Sequence, residues 1–342
     1  MGGDVGGEEE PVLPPWVTLV RRPEHPVEAA VEADARDAAQ RYGHYVIRGP
    51  LFGLAVQTPD DGPGWRILQS ITSGDAQSVR DSLLSVLWFR AKDEADDVAQ
   101  RRELLAAVGR LETEKVDALT AVGVRYRVVR ADEFVRLDAG RPEAPRPTDP
   151  EPAEADWGTQ RHGPPLDEGF VIDPALPVTP MEAAERFAMG DLHYAAQRYP
   201  PDVRADSAEA LHTHPGVVLL PPAFGILQRT EDGWAPVTGP QSTPQEARKQ
   251  LHFLLDWLWP RMPALGGAHP DDYAPAAAAL RKEPRSHSYE LLGRQFLVTR
   301  IGRVVRIGDA GPEGPRPSDI DATDPMESPH PPMSDDGTVH YD

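Results

Sequence analysis

The sequence predicts an α+β fold made of two tandem copies of one repeat, with helices covering small antiparallel sheets in the order helix-ββ-helix(-helix)-ββ and a pseudo-twofold arrangement of the copies. The strongest observation is that residues 123–149 and 293–319 align over 27 positions without a gap and share 11 identities. Apolar residues also alternate between helical and strand spacing in both copies, which is typical of helices packed on a sheet. Shorter phrases recur upstream in the same order: PLFG at 50–53 with PAFG at 222–225, and LWFR at 87–90 with LWPR at 258–261.

The elements are predicted in the same order in both copies. A leading Ala-rich helix is followed by two strands and an amphipathic helix, whose predicted N-caps are Asp75 and Thr243. A further helix comes next, and each copy then closes with a hairpin of alternating apolar and polar residues. The predicted ranges in copies A and B are 27–42 and 181–199 for the leading helix, 45–57 with 65–72 and 217–229 with 234–238 for the strands, 93–120 and 271–283 for the further helix, and, in copy A, 124–128 with 134–137 for the hairpin.

A proline-rich phrase follows the last strand of each copy. PEAPRPTD at 142–149 recurs as PEGPRPSD at 312–319, at the same distance from the hairpin. Proline fixes φ and favours extended backbone at low entropic cost. We interpret the phrase as a strap lying along the domain that it ends. The alternative is a PxxP-type ligand for a groove-binding partner.

The acidic charge is concentrated outside the two copies. Of the formal net charge of −20, residues 1–10, 149–175 and 320–342 contribute four, seven and six acids against the single base Arg161, which is −16. Proline and charge disfavour a packed core in such segments. We therefore expect a flexible acidic leader at 1–24, repeat A at 25–150, an acidic Pro-rich linker at 151–180, repeat B at 181–319 and a disordered acidic tail at 320–342.

Composition excludes several classes of function. The chain has no cysteine, so it forms no disulfide and no thiolate site. Its acidic balance disfavours nucleic acid and anionic membranes as partners. No apolar run approaches the roughly 20 residues that span a bilayer, and the first residues lack the pattern of a secretory signal. The expectation is a cytoplasmic protein.

Four of these segments carry a resemblance to a known family. RGPLFGLAVQ, LWFRAKDEAD, RYRVVRADEFVR with PRPTDPEP, and LDWLWPRM are similar to segments of an actinobacterial family of uncharacterised proteins, domain-of-unknown-function family 5954. The resemblance covers about residues 25–320. It implies no activity, cofactor or catalytic residue.

Motifs of enzymes and metal sites are missing from the sequence. There is no phosphate-binding glycine loop, nucleophile elbow, zinc-protease helix or kinase motif. The close pair His212 and His214 has no third ligand at a recognisable spacing, so we interpret both as loop histidines. We predict no catalytic residue, no metal and no cofactor.

Six arginines are the candidate ligand-binding residues. They occupy three corresponding positions of the two copies, and guanidinium groups on neighbouring strands can bind a carboxylate or phosphate with paired hydrogen bonds. The alternative is that each pairs with an acid of the protein, such as Glu143 or Glu313, or covers an apolar edge with its stem. The six are Arg130, Arg136, Arg146, Arg300, Arg306 and Arg316.

The sequence favours a non-enzymatic interaction or adaptor protein, because the chain combines an internal duplication with acidic segments and no catalytic motif. The alternative is a protein that binds a small anionic ligand through the repeated arginines. An enzyme with a site between the repeats is less favoured. The expected partner is an unknown protein or a small anion, with the chain a monomer that acts as an internal pseudo-dimer, or a homo-oligomer.

Overall fold

A computed structural model of the chain describes residues 18–158 and 163–341. The fold is α+β, as the sequence predicts, and it contains a curled antiparallel sheet. Its helices are α1 (Pro26–Arg41), α2 (Ala76–Asp93), α3 (Val98–Leu111), α4 (Pro180–Gly190), α5 (Pro201–Thr213), α6 (Pro244–Phe253), α7 (Trp259–Arg261), α8 (Pro263–Gly266) and α9 (Pro270–Lys282), with a π-helical turn at Leu254–Leu258. Its strands are β1 (His44–Gln57), β2 (Trp65–Ser73), β3 (Ala118–Ala121), β4 (Val124–Asp138), β5 (Arg141–Pro142), β6 (Val171–Ile172), β7 (Gly216–Leu219), β8 (Ala223–Thr230), β9 (Gly233–Pro236), β10 (Ser288–Leu291), β11 (Arg294–Gly308) and β12 (Gly311–Pro312).

The strands of both halves of the chain join one sheet. Its order is β6-β2-β1-β4-β11-β8-β9, and the shorter strands pair with β4 or β11. The halves meet where β4 pairs with β11, Phe134 opposite Gly302 and Asp132 opposite Val304. In the sequence alignment Asp132 corresponds to Gly302 and Phe134 to Val304, so exchanging the halves converts one pair into the position of the other. One shared sheet therefore replaces the separate small sheets that the sequence predicts.

The predicted closing hairpin at 124–137 is wrong, because β4 runs unbroken through it for 15 residues. The polar run Arg130-Ala-Asp-Glu133 suggests a turn in the sequence. In the structure these polar side chains are buried and paired, so the strand continues through them. The actual hairpin joins β3 to β4 through Val122 and Gly123, both with positive φ.

Each half buries one face of the sheet under helices. In the first half α2 and α3 cover Phe52, Leu54 and Val128, and in the second half α6 and α9 cover Phe224 and Ile226. The predicted N-caps are confirmed, since the Asp75 side chain accepts from Gln77 and that of Thr243 from Glu246.

The predicted helix at 181–199 is only partly correct. Helix α4 ends at Gly190, and the following residues form turns as far as Pro200. A separate helix, α5, then precedes β7. Its Asp206 accepts the backbone N–H of Ser318, as Asp34 of α1 accepts that of Thr148. Helix α5 is therefore the counterpart of α1 in these contacts.

The two proline straps cross from one half to the other. In the first strap and the residues after it, Asp149 binds Arg300 and Glu151 binds the fully buried Arg248 of α6. In the second, Asp319 binds Arg130 and Asp321 binds Arg80, a buried arginine of α2. Each strap therefore bridges the two halves. Thr148 and Ser318 bind helices of their own half, as the predicted course of each strap along its own domain requires, whereas Asp149 and Asp319 bind arginines of the opposite half, which the sequence did not predict.

The acidic segments also contact the folded core. Ile172 in the linker is fully buried in a core cluster with Trp65 and Val305, and Asp167 is buried where it binds Arg303. In the tail, expected to be disordered, His330 stacks on Trp88 at 4.7 Å and Met333 packs against the α2–α3 core. Apolar and aromatic residues spaced among the acids provide these contacts.

We predict that neither half folds alone. A fragment of residues 18–158 lacks Asp319 and Asp321, so buried Arg80 and Arg130 each lose one of two carboxylate partners, and the fragment also loses the core contacts of the second half. Near-ultraviolet circular dichroism should show no fixed aromatic packing in this fragment or in residues 163–342. Mixing the two fragments should restore it. Cooperative unfolding of either fragment at the temperature of the full chain would contradict the crossing of the straps.

Candidate functional site

The first arginine cluster joins Arg130 of β4 to Arg316 of the second strap through a shared acid. Arg130 Nη1 donates to Asp132 Oδ1 at 2.9 Å, and Arg316 Nη2 lies 3.9 Å from Asp132 Oδ2. Arg130 also donates twice to Asp319, at 2.9 and 3.4 Å, and Arg316 donates to both oxygens of Glu313, at 2.6 and 3.0 Å. Each guanidinium therefore faces two carboxylates.

Tyr194 completes this first cluster. Its hydroxyl donates to Asp132 Oδ1 at 2.6 Å, and both side chains are buried. Burial, together with the charge of Asp132, raises the pKa of Tyr194. Burial alone would raise the pKa of Asp132, but the charges of Arg130 and Arg316 outweigh it and lower that pKa. In the first cluster both guanidinium groups are thus paired with carboxylates of the protein.

The second cluster has the corresponding arginines but lacks the shared acid. Arg300 Nε donates to Asp149 Oδ1 at 3.1 Å, and Arg146 Nε donates to Glu143 Oε1 at 2.7 Å. Arg146 Nη2 is buried without a hydrogen-bond partner in the described part of the chain. The position that corresponds to Asp132 is Gly302, which has no side chain to offer.

A cavity of about 250 Å³ adjoins the second cluster. Arg146, Arg300 and Gly302 line it together with the rings of Phe134 and Phe170. A Cβ at Gly302 would collide with the ring of Phe134, which lies directly across from it in β4. In the first cluster the corresponding pair is Asp132 with the smaller Val304. A Phe–Gly pair in one cluster therefore stands where the other has Val–Asp.

The remaining two predicted arginines, Arg136 and Arg306, lie away from this cavity. Arg136 binds Glu185 of α4 at 2.6 Å, and its guanidinium lies 5.4 Å from the centre of the Tyr45 ring. Arg306 donates to three backbone carbonyls at the end of α4, the shortest to Leu192 at 2.6 Å. Of the six, the structure thus brings Arg146 and Arg300 together at one cavity, whereas Arg130, Arg136, Arg306 and Arg316 do not line it.

A second, larger cavity lies on the other side of the β4–β11 junction. We call it the β4–β8 groove; its volume is about 510 Å³. Trp234 of edge strand β9 closes one end, where its Nε1 donates to the Gly140 carbonyl at 3.0 Å. The walls are mainly apolar, with side chains from Val46, Val135, Leu137, Leu227, Pro236 and Ile301.

The surface that corresponds to this groove in the first half is covered by the linker. There Phe170 and Ile172 pack on the sheet, and Ile172 and Val171 of β6 pair with Trp65 and Arg66 of β2. Trp65 is consequently 3% exposed, whereas its counterpart Trp234 is half-buried. The same difference separates buried Val305 and Ile307 from their half-buried counterparts Val135 and Leu137.

At the edge of the groove and of the covered surface, corresponding residues carry opposite charges. In the covered half, fully buried Arg303 donates to Asp167 of the linker at 2.5 Å. The corresponding residue beside the groove is Glu133, whose Oε1 is buried and has no hydrogen-bond partner in the described residues. Its Oε2 binds Arg48 at 3.1 Å. Burial raises the pKa of Glu133, against the charges of Arg48 and Arg303.

The sequence analysis did not identify Gly302, Glu133, Asp167 or Arg303. A signal was present, because residues 132–133 and 302–303 replace Asp-Glu by Gly-Arg inside an otherwise similar stretch. Such a break between two otherwise similar segments marks the place where the two halves of the chain differ in chemistry. The segment that fills the covered half lies outside the aligned stretch, so its role could not be inferred.

The fold and the site define a class: an α+β protein with two buried arginine–carboxylate clusters. The model of a family of unknown function, DUF5954, matches residues 25–322, and the chain belongs to that family. No curated protein and no solved structure matches the chain. Within residues 18–158 and 163–341, no helix is long and apolar enough to cross a membrane, and no three His, Asp or Glu side chains are grouped as metal ligands.

We predict that Asp167→Ala lowers the free energy of unfolding by about 3–5 kcal/mol, because it leaves the Arg303 guanidinium buried without its anion. Urea unfolding measures the change. The double variant Asp167→Ala with Arg303→Met should recover much of the loss, since it removes the uncompensated charge as well. Equal losses in the single and double variants would contradict a coupled buried pair.

Proposed function

We propose that the chain is an internal duplication that serves as a non-enzymatic interaction protein, and that its β4–β8 groove binds an extended segment of a partner protein. The observation that carries this proposal is the difference between the halves. The surface corresponding to the groove is covered by the linker of this chain, whereas the groove itself is open. An extended segment with matching chemistry is therefore the occupant that the groove fits.

The free edge of β9 supports strand addition. Strand β9 ends the sheet and pairs only with β8 among the described residues, while its counterpart β2 pairs antiparallel with β6 on the outer side. Extended peptides commonly bind exposed sheet edges through main-chain hydrogen bonds, and pockets for alternate side chains give specificity. A partner strand on β9 would reproduce the pairing of β6 with β2.

The apolar walls of the groove favour a branched aliphatic or aromatic side chain. In the covered half, Ile172 is 0% exposed and fills this position with help from Phe170. Burying one such side chain contributes about 1.5–3 kcal/mol. The partner segment is therefore expected to carry an apolar residue where the linker has Ile172.

The reversed charge at the edge favours a basic residue in the partner. Asp167, five residues before Ile172, meets Arg303 in the covered half. Because Glu133 stands at the position that corresponds to Arg303, a partner residue at the place of Asp167 would meet a carboxylate. An arginine there would give the unpartnered Glu133 Oε1 a donor.

A peptide experiment tests this proposal. We expect PLREGFVIDPA, the sequence of residues 165–175 with Asp167→Arg, to bind the protein at least tenfold more tightly than unaltered PLDEGFVIDPA. Fluorescence anisotropy with labelled peptides measures both dissociation constants. Glu133→Gln should reduce the preference for arginine, and the matched Ile172→Asp change in the peptide should abolish binding. Absence of binding by the arginine peptide, or equal affinity for both peptides, would contradict the proposal.

The affinity of the arginine peptide should fall as the pH falls. Only ionised Glu133 attracts the guanidinium, and burial raises the pKa of Glu133 above its ordinary value although Arg48 and Arg303 oppose the shift. Binding therefore releases a proton, and the dissociation constant should rise as the pH drops through the pKa of Glu133. In the Glu133→Gln protein this dependence should disappear. An unchanged pH profile would show that another group is responsible.

A further inference from the structure

The second arginine cluster points to a ligand, independently of the groove. Among the polar atoms of residues lining its cavity, those that are buried without a partner are both nitrogen donors, Arg146 Nη2 and Arg303 Nε. Arg146 has only 8% of its side chain exposed. Arg300 lies at the mouth with 16% exposed, and within the described residues only its Nε is bonded. A group that accepts hydrogen bonds is missing.

The first cluster identifies that group. There the acceptor is the carboxylate of Asp132, which lies between Arg130 and Arg316 and also accepts the phenol of Tyr194. Gly302 provides no such carboxylate at the corresponding position. Asp149 accepts from Arg300 Nε and from the backbone N–H of Arg146, but in the described structure neither a carboxylate nor a tyrosine joins the two guanidinium groups. The cavity therefore occupies the place that an acid and an aromatic ring fill in the other cluster.

The acids that also line the cavity are already bound to other groups. Glu32 accepts the backbone N–H of Met181 at 3.0 Å, Glu182 binds Arg186 at 2.9 Å, and Glu185 binds Arg136 at 2.6 Å. None of them lies within ion-pair distance of Arg146 or Arg300. These acids balance the charge around the cavity, but they do not supply the missing acceptor.

The walls of the cavity indicate the polarity and size of the rest of the ligand. Phe134, Phe170, Leu219 and Leu220 line it beside the guanidinium groups. Its volume of about 250 Å³ accommodates a ring with one short substituent but is below the range typical of drug-sized ligands. We infer that this cavity binds a small monocarboxylate with an apolar, ring-sized body, whose carboxylate lies between Arg146 and Arg300.

Benzoate is the probe that tests the inference, measured by calorimetric titration of the full chain. We expect one benzoate per chain, bound at least tenfold more tightly than benzamide, which has the same shape without the charge, and more tightly than acetate, which lacks the ring. Equal binding of benzoate and benzamide would overturn the inference, as would tighter binding of acetate or phosphate. The absence of any benzoate binding at 10 mM, roughly the weak limit for a ligand of this size, would also overturn it.

Two kinds of variant locate the site. The pair of substitutions Phe134→Val and Gly302→Asp installs the Val–Asp pair of the first cluster, and its carboxylate should occupy the guanidinium groups and reduce benzoate affinity at least tenfold. Arg300→Gln should have the same effect by removing donors. Arg300 also forms an ion pair with Asp149. If Arg300→Gln does not fold for that reason, the Phe134→Val/Gly302→Asp variant is the test of the site.

The matched control is Arg198→Gln, which removes an exposed arginine that donates to the Tyr199 hydroxyl and lies over the Tyr199 ring. It should bind benzoate like the unaltered chain. Wild-type affinity in a folded Phe134→Val/Gly302→Asp protein would overturn the inference. Equal loss in Arg198→Gln would also overturn it, because it would show that general charge and not this cavity attracts the anion.

Discussion

The pairing of each central arginine with an aspartate from the opposite strap is the interaction on which the rest of the structure depends. Arg130 with Asp319 and Arg300 with Asp149 fasten the straps across the β4–β11 junction, where the strands themselves pair over only a few residues. The backbone follows the same exchange, because Arg130 N donates to the Glu313 carbonyl and Arg300 N to that of Glu143. Buried charges of this kind are costly unless they are paired, so the straps and the sheet specify each other.

The two halves differ at two places, and each difference leaves a buried polar atom of one half without a hydrogen-bond partner among the described residues. Within the described residues, Arg146 Nη2 beside the second cluster lacks an acceptor, and Glu133 Oε1 beside the β4–β8 groove lacks a donor. Protein interiors satisfy nearly all buried polar groups, so an exception next to a cavity indicates a ligand more strongly than the cavity does alone. At the corresponding place in the other half, residues of this chain fill each site, and their chemistry indicates which group would fit.

The sequence could predict the α+β class, the order of most elements and both N-caps, because amphipathic spacing and capping residues are local signals. It could not predict that β4 runs through Arg130 to Glu133, because a polar run is indistinguishable from a turn until its partners are known. The alignment paired Arg146 with Arg316 as equivalent positions, but equivalence does not reveal which copy each one contacts. The arginines could be identified from the sequence by their charge. Gly302 could not, because it matters through the side chain that it lacks.

The crossing of the straps has a consequence for the order in which the protein acquires its structure during synthesis. Residues of the first half leave the ribosome early, yet the carboxylates of Asp319 and Asp321 are translated almost 190 residues after Arg130 and 240 after Arg80. Until they arrive, each arginine has only one of its two carboxylate partners, Asp132 for Arg130 and Asp117 for Arg80. The ion pairs of the first half are therefore complete only after nearly the whole polypeptide has been synthesised.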